Sequence, residues 1–401
     1  MPSAVTPILL VVGALLVASG VLLPLYTFLG YPALLSLRSG GRRRRTPPPD
    51  PQEWPRVTVA VPAYNEAAQI RDTIEGLLAL DYPADRIERV IVSDASSDGT
   101  DEIVLEYADR GIELKRVEAR GGKTVAENVV APSLNGEIIV NTDASIRLEP
   151  DAVKALVRYF ADPTVGVASG RDVSIENRHD EANAGETRYV NYEMWLRDLE
   201  TRAGGGIVGA SGSLYAIRAE LHRHPVPGHL SRDFASALTA RDHGYRAVTV
   251  NEAVCYVPRT HSLSREYRRK VRTITRGMET LGWKKHLLNP FRHGVFAWML
   301  FSHKVCRWLI PVAAVALWLG AVLVAAGLGW TPAVIALVVG LVAGLGLAWV
   351  GQARPDDRPL PGVLSLGAFA ALSNIAILRA WFRAWRGAGQ AVWEPTRRKT
   401  A

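Results

Sequence analysis

The sequence contains few cysteines and no P-loop motif. Cys255 and Cys306 are the only cysteines among 401 residues, too few for a disulfide framework or a thiolate metal site. We expect both to be packing residues in a protein of a reducing compartment. No Gly-x-x-x-x-Gly-Lys-Ser/Thr segment is present, and its absence argues against a P-loop nucleotidase.

Charged residues are missing from three long segments. Residues 1–37, 308–353 and 359–378 contain none, whereas 38–307 is densely charged. This division excludes a wholly soluble chain. Within the first segment, residues 7–29 exceed the ~20 residues needed to cross a hydrocarbon core. They lack the basic start and the short apolar stretch of a cleavable signal peptide. We therefore predict an uncleaved N-terminal membrane anchor.

The C-terminal apolar segments predict two to three further transmembrane helices. Residues 308–328 and 332–350 form two spans joined by a short turn. A third run, 363–378, is followed by the basic and aromatic stretch 379–386, which is typical of a membrane interface. A full crossing by the third run would leave this stretch outside, against the positive-inside rule. A re-entrant or interfacial course is the alternative.

Arginines follow the predicted anchor directly. Because Arg38 and the run 42–45 come next, the positive-inside rule places the following domain in the cytoplasm, on a multi-pass protein of the cell membrane. The net charge is +8, and its densest part is this run. Anionic lipid headgroups are a simpler partner there than nucleic acid, so nucleic acid binding is not predicted.

The middle of the chain shows alternating strand-like and helix-like patterns. Apolar runs at 57–61, 89–93, 112–117 and 137–141 alternate with helical spacing at 67–80, 100–109 and 124–131. This rhythm predicts an α/β fold in which helices cover a parallel sheet. The predicted units are the anchor (1–37), a basic proline-rich linker (38–53), a cytoplasmic domain (54–260), interfacial amphipathic helices (261–306), transmembrane segments (307–386) and a basic tail (387–401).

Acid-bearing turns follow three of the predicted strands. They contain Tyr64-Asn65-Glu66, Asp94 with Asp98, and Asp143. Each acid alone is a common turn or helix-cap residue. However, ligands of parallel sheets bind beyond the carboxyl ends of the strands, where these turns are expected to meet. None of the turns carries the Gly-x-Gly-x-x-Gly fingerprint of a dinucleotide oxidoreductase.

Carboxylates suit a phosphorylated ligand when a divalent cation bridges them to phosphate oxygens. The segment Arg120-Gly121-Gly122-Lys123 adds a cationic loop that would reach a diphosphate, although an ordinary solvated loop fits the same residues. The turns and the loop together predict a site for a phosphorylated ligand and its metal.

Several motifs resemble those of family 2 glycosyltransferases in order and spacing over about residues 55–280. They are Val57–Glu66, Val92–Thr100, Gly121–Lys123 with Asn128, Thr142–Ser145, Gly209–Arg218 on the acceptor side, and Ser231–Phe234 at the catalytic acid. The resemblance implies a Rossmann-like glycosyltransferase A-type domain that binds a nucleotide sugar. It is nearest to the membrane-anchored bacterial type that includes polysaccharide synthases.

The resemblance also implies roles for the donor side. Tyr64 would contact the nucleotide base, Glu66 the ribose and base, and Asp94 the uracil edge. Lys123 would approach the diphosphate, and Asp143 would coordinate the Mg²⁺ or Mn²⁺ that holds it. A uridine nucleotide is expected.

On the acceptor side, the resemblance makes Asp233 the general base. An inverting transfer needs a carboxylate to take the proton of the attacking hydroxyl, although a carboxylate at a helix N-terminus is also stabilising by itself. Ser211 and Gly212 would shape the pocket around the sugar or acceptor. Arg269 and Arg272 would contact the diphosphate or acceptor, or else form part of a basic face on anionic headgroups.

Three positions depart from the family pattern. Ser145 replaces the second acid after the metal aspartate, which weakens the expectation of metal dependence. Arg232 replaces the acid before the base, which bears on acceptor preference. The Gln-x-x-Arg-Trp motif of processive synthases reads Arg-Lys-Val-Arg-Thr at 269–273, so short or single additions are favoured.

We therefore predict a membrane-anchored, inverting glycosyltransferase that moves a sugar from a nucleotide sugar to a membrane-associated glycan or a polyprenyl-linked acceptor. A processive polysaccharide synthase, with a homo-oligomer or an export partner, is one alternative. A degenerate sugar-nucleotide-binding protein without catalysis is the other.

Overall fold

The computed structural model describes residues 5–40, 46–175, 184–258, 263–353, 362–387 and 392. The basic run at 42–45 and most of the predicted basic tail, two features of the sequence analysis, lie outside these residues. The described part comprises a mixed α/β domain and a group of long apolar helices at the two ends of the chain.

The domain is built on one sheet of eight strands among the described residues. The strands are β1 (Val57–Ala63), β2 (Ile87–Ser93), β3 (Ile112–Arg116), β4 (Ile138–Thr142), β5 (Arg147–Leu148), β6 (Val165–Ile175), β7 (Leu214–Arg218) and β8 (Arg246–Pro258). Their order is β3-β2-β1-β4-β7-β6-β8-β5. The pairs among β1 to β4 are parallel, whereas β7 and β5 run antiparallel to their neighbours. Because β1 and β4 are central and parallel, the turns after them face one crevice.

Helices flank both faces of this sheet. In chain order the helices are α1 (Val5–Leu25), α2 (Tyr31–Ser39), α3 (Ile70–Leu78), α4 (Thr100–Leu105), α5 (Lys123–Val130), α6 (Ala152–Arg158), α7 (Ala184–Arg202), α8 (Ala219–His222), α9 (Arg232–Asp242), α10 (Leu263–Trp283), α11 (Pro290–His293), α12 (Val295–Leu300), α13 (Cys306–Trp308), α14 (Ile310–Gly327), α15 (Thr331–Ala353) and α16 (Gly362–Trp385). Val59 of β1 packs into one buried core and Ala60 into the other. Burial on both faces explains why β1 reads as an uninterrupted apolar run.

The α/β prediction is confirmed for the first half of the domain. The four predicted strands and three predicted helices are present, most of them with bounds shifted by one or two residues. The helix predicted over 67–80 begins at Ile70, because the preceding residues form a turn in which the Glu66 carbonyl accepts the amides of Gln69 and Ile70, both at 2.9 Å. The sequence predicted a parallel sheet, and the two antiparallel strands β5 and β7 were missed.

The terminal helices pack through small residues. A side chain on Gly320 of α14 would lie 2.6 Å from the Gly13 carbonyl oxygen of α1, so this close approach requires glycine. Among the described residues, three helices are long and apolar enough to cross a membrane: Thr6–Ser39, Ile310–Gly327 and Thr331–Ala353. The first of these continues from α1 through a π-helical turn into α2.

The 24-residue helix α16 follows the two C-terminal candidate spans. It packs along the charged helix α10, where Lys270 Nζ donates to Ser373 Oγ at 2.8 Å. Of the two to three C-terminal crossings predicted, two are found as candidates among the described residues.

Candidate active site

A cavity of about 400 Å³ lies beyond the carboxyl ends of β1 and β4. Its walls come from the sheet turns, from α7 and α10, and from the segment just before α14. Eight of the ten predicted site residues line it: Glu66, Lys123, Asp143, Ser211, Gly212, Asp233, Arg269 and Arg272. The other two, Tyr64 and Asp94, contact the loop 120–122, which leads to Lys123 in the cavity wall.

Asp143 and Lys123 form an ion pair in the cavity. Asp143 follows β4 directly, and Lys123 is the first residue of α5. Burial by itself would lower the pKa of Lys123, but the Asp143 and Glu127 carboxylates raise it above its ordinary value. Lys123 is therefore a cation at neutral pH, positioned beside the carboxylate that the sequence assigned to the metal.

Asp94 holds the backbone of the glycine loop. Its buried carboxylate accepts the amides of Gly121 and Gly122, both at 2.8 Å. Gly122 has φ +91°, which favours glycine. The loop therefore turns at Asp94 and presents Lys123 to the cavity. A direct contact between Asp94 and a base remains a prediction.

Tyr64 is covered by a guanidinium group. The Arg120 carbon Cζ lies 3.8 Å from the centre of the Tyr64 ring, in cation–π geometry. Asp98, the other acid of the second turn, accepts the amides of Ala67 and Thr100 at 3.1 Å each. The Asp98 carboxylate therefore stabilises the turn, which is a common role of aspartate.

Asp233 lies in the first turn of α9 and faces the acceptor-side loop, residues 209–212. The Ser231 hydroxyl donates to its Oδ1 oxygen. A side chain on Gly212 would lie 2.9 Å from its Oδ2 oxygen, so the loop backbone lies directly against the carboxylate. The Asp233 carboxylate is thus positioned at the N-terminus of α9, beside the acceptor-side loop.

Ser211 is held by an acid that sequence reasoning missed. Its hydroxyl donates to Asp172 at 2.7 Å, and its amide donates to Ser169 Oγ at 2.8 Å. Asp172 lies within β6 and lines the cavity. No turn or motif marks this position, and only the pairing of β6 with β7 and β8 brings it to the site.

The basic residues of α10 line the cavity on the other side. Arg269 contacts Glu266 through two hydrogen bonds of 2.8 Å, and Arg272 follows one turn later. Arg276 also lines the cavity, and its guanidinium donates to Thr124 Oγ1 at 3.0 Å.

Arg232 lines the cavity, but its guanidinium is held by neighbouring residues. It is buried and donates to Asn128 Oδ1 and to the His222 carbonyl, the latter at 2.6 Å. Glu127 lies 4.0 Å away, and burial raises the pKa of this acid. The arginine that replaces the family acid therefore joins α9 to α5.

The residues present fit a divalent cation bound together with a diphosphate. No group of three or more His, Cys, Asp or Glu side chains is arranged around a common metal position in the part of the chain that the structure describes. Mg²⁺, however, is commonly held by one or two carboxylates together with substrate phosphates. Asp143, with 38% of its side chain exposed and facing the cavity, supplies such a carboxylate.

Replacing Gly212 by alanine is expected to lower kcat about tenfold or more, because the new methyl group would displace the Asp233 carboxylate by several tenths of an ångström. The measurement is turnover together with the melting temperature. Gly76→Ala is the matched control, since a methyl group there meets open space on a helix. Unchanged turnover in Gly212→Ala would contradict this placement of Asp233.

Comparison with known proteins gives a consistent result. The family model described as "Glycosyl transferase family 2" matches residues 58–224. The chain is 35% identical over 180 residues to "Probable glycosyltransferase YdaM" of Bacillus subtilis, covering 42% of each chain. It is 38% identical over 122 residues to "Beta-monoglucosyldiacylglycerol synthase" of Synechocystis sp., covering 29% of this chain and 26% of that one. The matched regions thus span less than half of these relatives.

One solved structure resembles nearly the whole chain. The mannosyltransferase PcManGT from Pyrobaculum calidifontis, solved with GDP-Man and Mn²⁺, has a TM-score of 0.66 and 26% identity. The match covers 92% of this chain and 99% of that one. The acid-lined cavity of an A-type domain, the family match over that domain and these relatives agree: residues 58–224 form a glycosyltransferase family 2 domain.

Proposed function

We propose that the protein is a membrane-anchored, inverting glycosyltransferase that moves a sugar from a nucleotide sugar to a membrane-associated lipid or glycan. The observation that carries the proposal is that Lys123 and Asp143 share one cavity with Asp233. A leaving diphosphate needs a cationic or metal-binding group, as Lys123 and Asp143 would provide. An attacking hydroxyl needs a base, as Asp233 would provide, and the two reactants would meet at one anomeric carbon.

On the donor side, Asp143 would hold the metal and Lys123 would contact the diphosphate. The cation would supply Lewis acidity that stabilises negative charge on the leaving oxygen. Lys123 pairs with Asp143, and its Nζ would move to a phosphate oxygen when the nucleotide binds. The charge of the site then stays compensated in both states.

On the acceptor side, Asp233 would take the proton of the attacking hydroxyl. The new bond joins the acceptor oxygen to the anomeric carbon, and the bond from that carbon to the diphosphate breaks. The nucleoside diphosphate leaves with the electron pair, and the proton stays on Asp233 until solvent removes it. One general base and one leaving-group site on opposite sides of the sugar give inversion.

The cavity wall is joined to the first candidate membrane span. Tyr26 of that span contacts Ser302 through their hydroxyls at 2.6 Å, and Trp298 Nε1 donates to the same tyrosine at 2.8 Å. Residues 298–304 thus link the anchor to the site. An acceptor with an apolar tail would reach Asp233 without leaving the lipid surface, which we place on the cytoplasmic side.

The nucleotide of the donor sugar is to be identified by testing both uridine and guanosine nucleotide sugars. The family resemblance favours a UDP-sugar, whereas the Pyrobaculum relative was solved with GDP-Man. The experiment incubates the purified protein, in vesicles containing bacterial polar lipids, with radiolabelled UDP- and GDP-sugars and a divalent metal.

We expect label to enter the lipid phase as a short product. Long polymer would instead support the processive synthase. Nucleotide binding without transfer from any of these sugars would support the non-catalytic alternative and overturn the proposal.

A further inference from the structure

Among the described residues, Lys304 and Arg197 line the cavity without a carboxylate partner. Both line the wall near the membrane anchor. Arg197 is only 3% exposed. Buried charges are normally paired, so these two groups indicate a ligand of negative charge.

Lys304 lies against the acceptor-side loop. Its Nζ is 3.7 Å from the position that a side chain on Gly209 would occupy, and 5.3 Å from the centre of the Phe234 ring. Phe234 directly follows Asp233, and Gly209 stands three residues before Gly212, which touches that base. The ammonium group is therefore on the acceptor side of the site, whereas Lys123 belongs to the donor side.

Arg197 approaches the same loop from α7. Its guanidinium donates to Ser169 Oγ, which also accepts the Ser211 amide. Its Nε has no hydrogen-bond partner within the described residues. A guanidinium in this state has donors available for the oxygens of an anion.

The neighbours of Lys304 are fixed in place. The two ring nitrogens of His303 contact Glu200 at 2.6 Å and Glu193 at 2.7 Å. Arg307 also donates to Glu193 at 2.5 Å. Both carboxylates are thus contacted by His303 or Arg307, which lie one and three positions from Lys304, while Lys304 itself lines the cavity.

The electrostatics agree with this geometry. Burial lowers the pKa of Lys304, and nearby Arg307 and Arg197 act in the same direction against the attraction of Glu193. An anion bound beside Lys304 would offset both the burial and the repulsion.

We propose that the acceptor of this enzyme is a lipid whose head group carries a phosphate, bound by Lys304 and Arg197 beside the reacting hydroxyl. This inference rests on the proposed function and adds the class of its acceptor. A phosphate has enough oxygens to accept from an ammonium and a guanidinium at once. The cavity borders the anchor helix, where the anions of a bilayer are lipid phosphates.

The first test examines the charge of the product. Vesicles made from bacterial polar lipids labelled with ³²P receive a tritiated nucleotide sugar, and the lipid products are separated on an anion-exchange column. We expect the tritiated lipid to be retained and to contain ³²P. A neutral, phosphorus-free glycolipid would overturn the inference while leaving the transferase proposal intact. No transfer to any lipid would overturn the inference, and the transferase proposal would fall with it only if no membrane-associated glycan is labelled either.

The second test uses Lys304→Met and Lys304→Gln. Loss of one charge-assisted hydrogen bond is expected to raise the KM for the lipid about ten- to a hundredfold. The KM for the nucleotide sugar and the melting temperature should stay unchanged, and Lys304→Arg should retain most of the affinity.

Lys154→Met is the matched control, because Lys154 pairs with Asp81 at 2.7 Å on the surface. Should both neutral variants of Lys304 shift the KM for the lipid by less than about twofold, the phosphate site is wrong. If these variants unfold, the anion-exchange experiment on the lipid product tests the inference by itself.

Discussion

Replacement of Asp233 by asparagine is expected to lower kcat about a hundredfold or more, because a positioned general base contributes about 10²- to 10⁴-fold. The amide keeps the size of the side chain and its contact with Ser231, so the fold should remain intact. It cannot accept the proton of the attacking hydroxyl. The measurement is steady-state transfer together with binding of the nucleotide sugar.

The nucleotide should bind to Asp233→Asn with nearly the affinity of the unmodified protein, because the residues predicted to hold the donor lie on other loops. Asp242→Asn is a matched control at the far end of the same helix, where the carboxylate contacts His286 at 2.6 Å outside the cavity. If Asp233→Asn keeps full turnover, this aspartate is not the base.

Removal of divalent metal with EDTA is expected to reduce transfer about a hundredfold or more, because the cation stabilises the leaving diphosphate by several kcal/mol. Added Mn²⁺ or Mg²⁺ should restore the activity. Asp143→Asn should need a higher metal concentration for half-maximal activity, since it removes the one carboxylate placed after β4.

Asp98→Asn is the control for this experiment, as that acid accepts backbone amides at a turn and does not line the cavity. It should leave the metal dependence unchanged. Full activity in chelator would mean that Lys123 and the arginines of α10 stabilise the leaving group by themselves. That outcome would remove the metal from the proposal.

The sequence predicts well what local pattern and strand order determine. The apolar run of β1 and the turn at Asp143 are visible because a parallel strand is buried on both faces and its end must be polar. The sequence positions of Lys123 and Asp233 followed from motifs with fixed spacing. Eight of the ten predicted residues line the cavity.

Residues brought in by long-range packing were missed. Asp172 and Arg197 stand on β6 and α7 without any motif, and only the sheet order and the packing of α7 bring them to the site. Lys304 falls in the segment 261–306, for which the sequence predicts interfacial helices, and no contact of Lys304 with the site is predicted. The adjacent His303 is held by Glu193 and Glu200. These contacts join residues more than a hundred positions apart in the sequence.

The central claim is that one cavity binds the donor between Asp143 and Lys123 and presents its anomeric carbon to Asp233. An experimental structure of the protein with a non-hydrolysable nucleotide sugar and Mn²⁺ tests it most directly. The account predicts metal and diphosphate density at Asp143 and Lys123, with the sugar facing Asp233. A nucleotide bound elsewhere, or a sugar that turns its anomeric carbon away from this carboxylate, would contradict it.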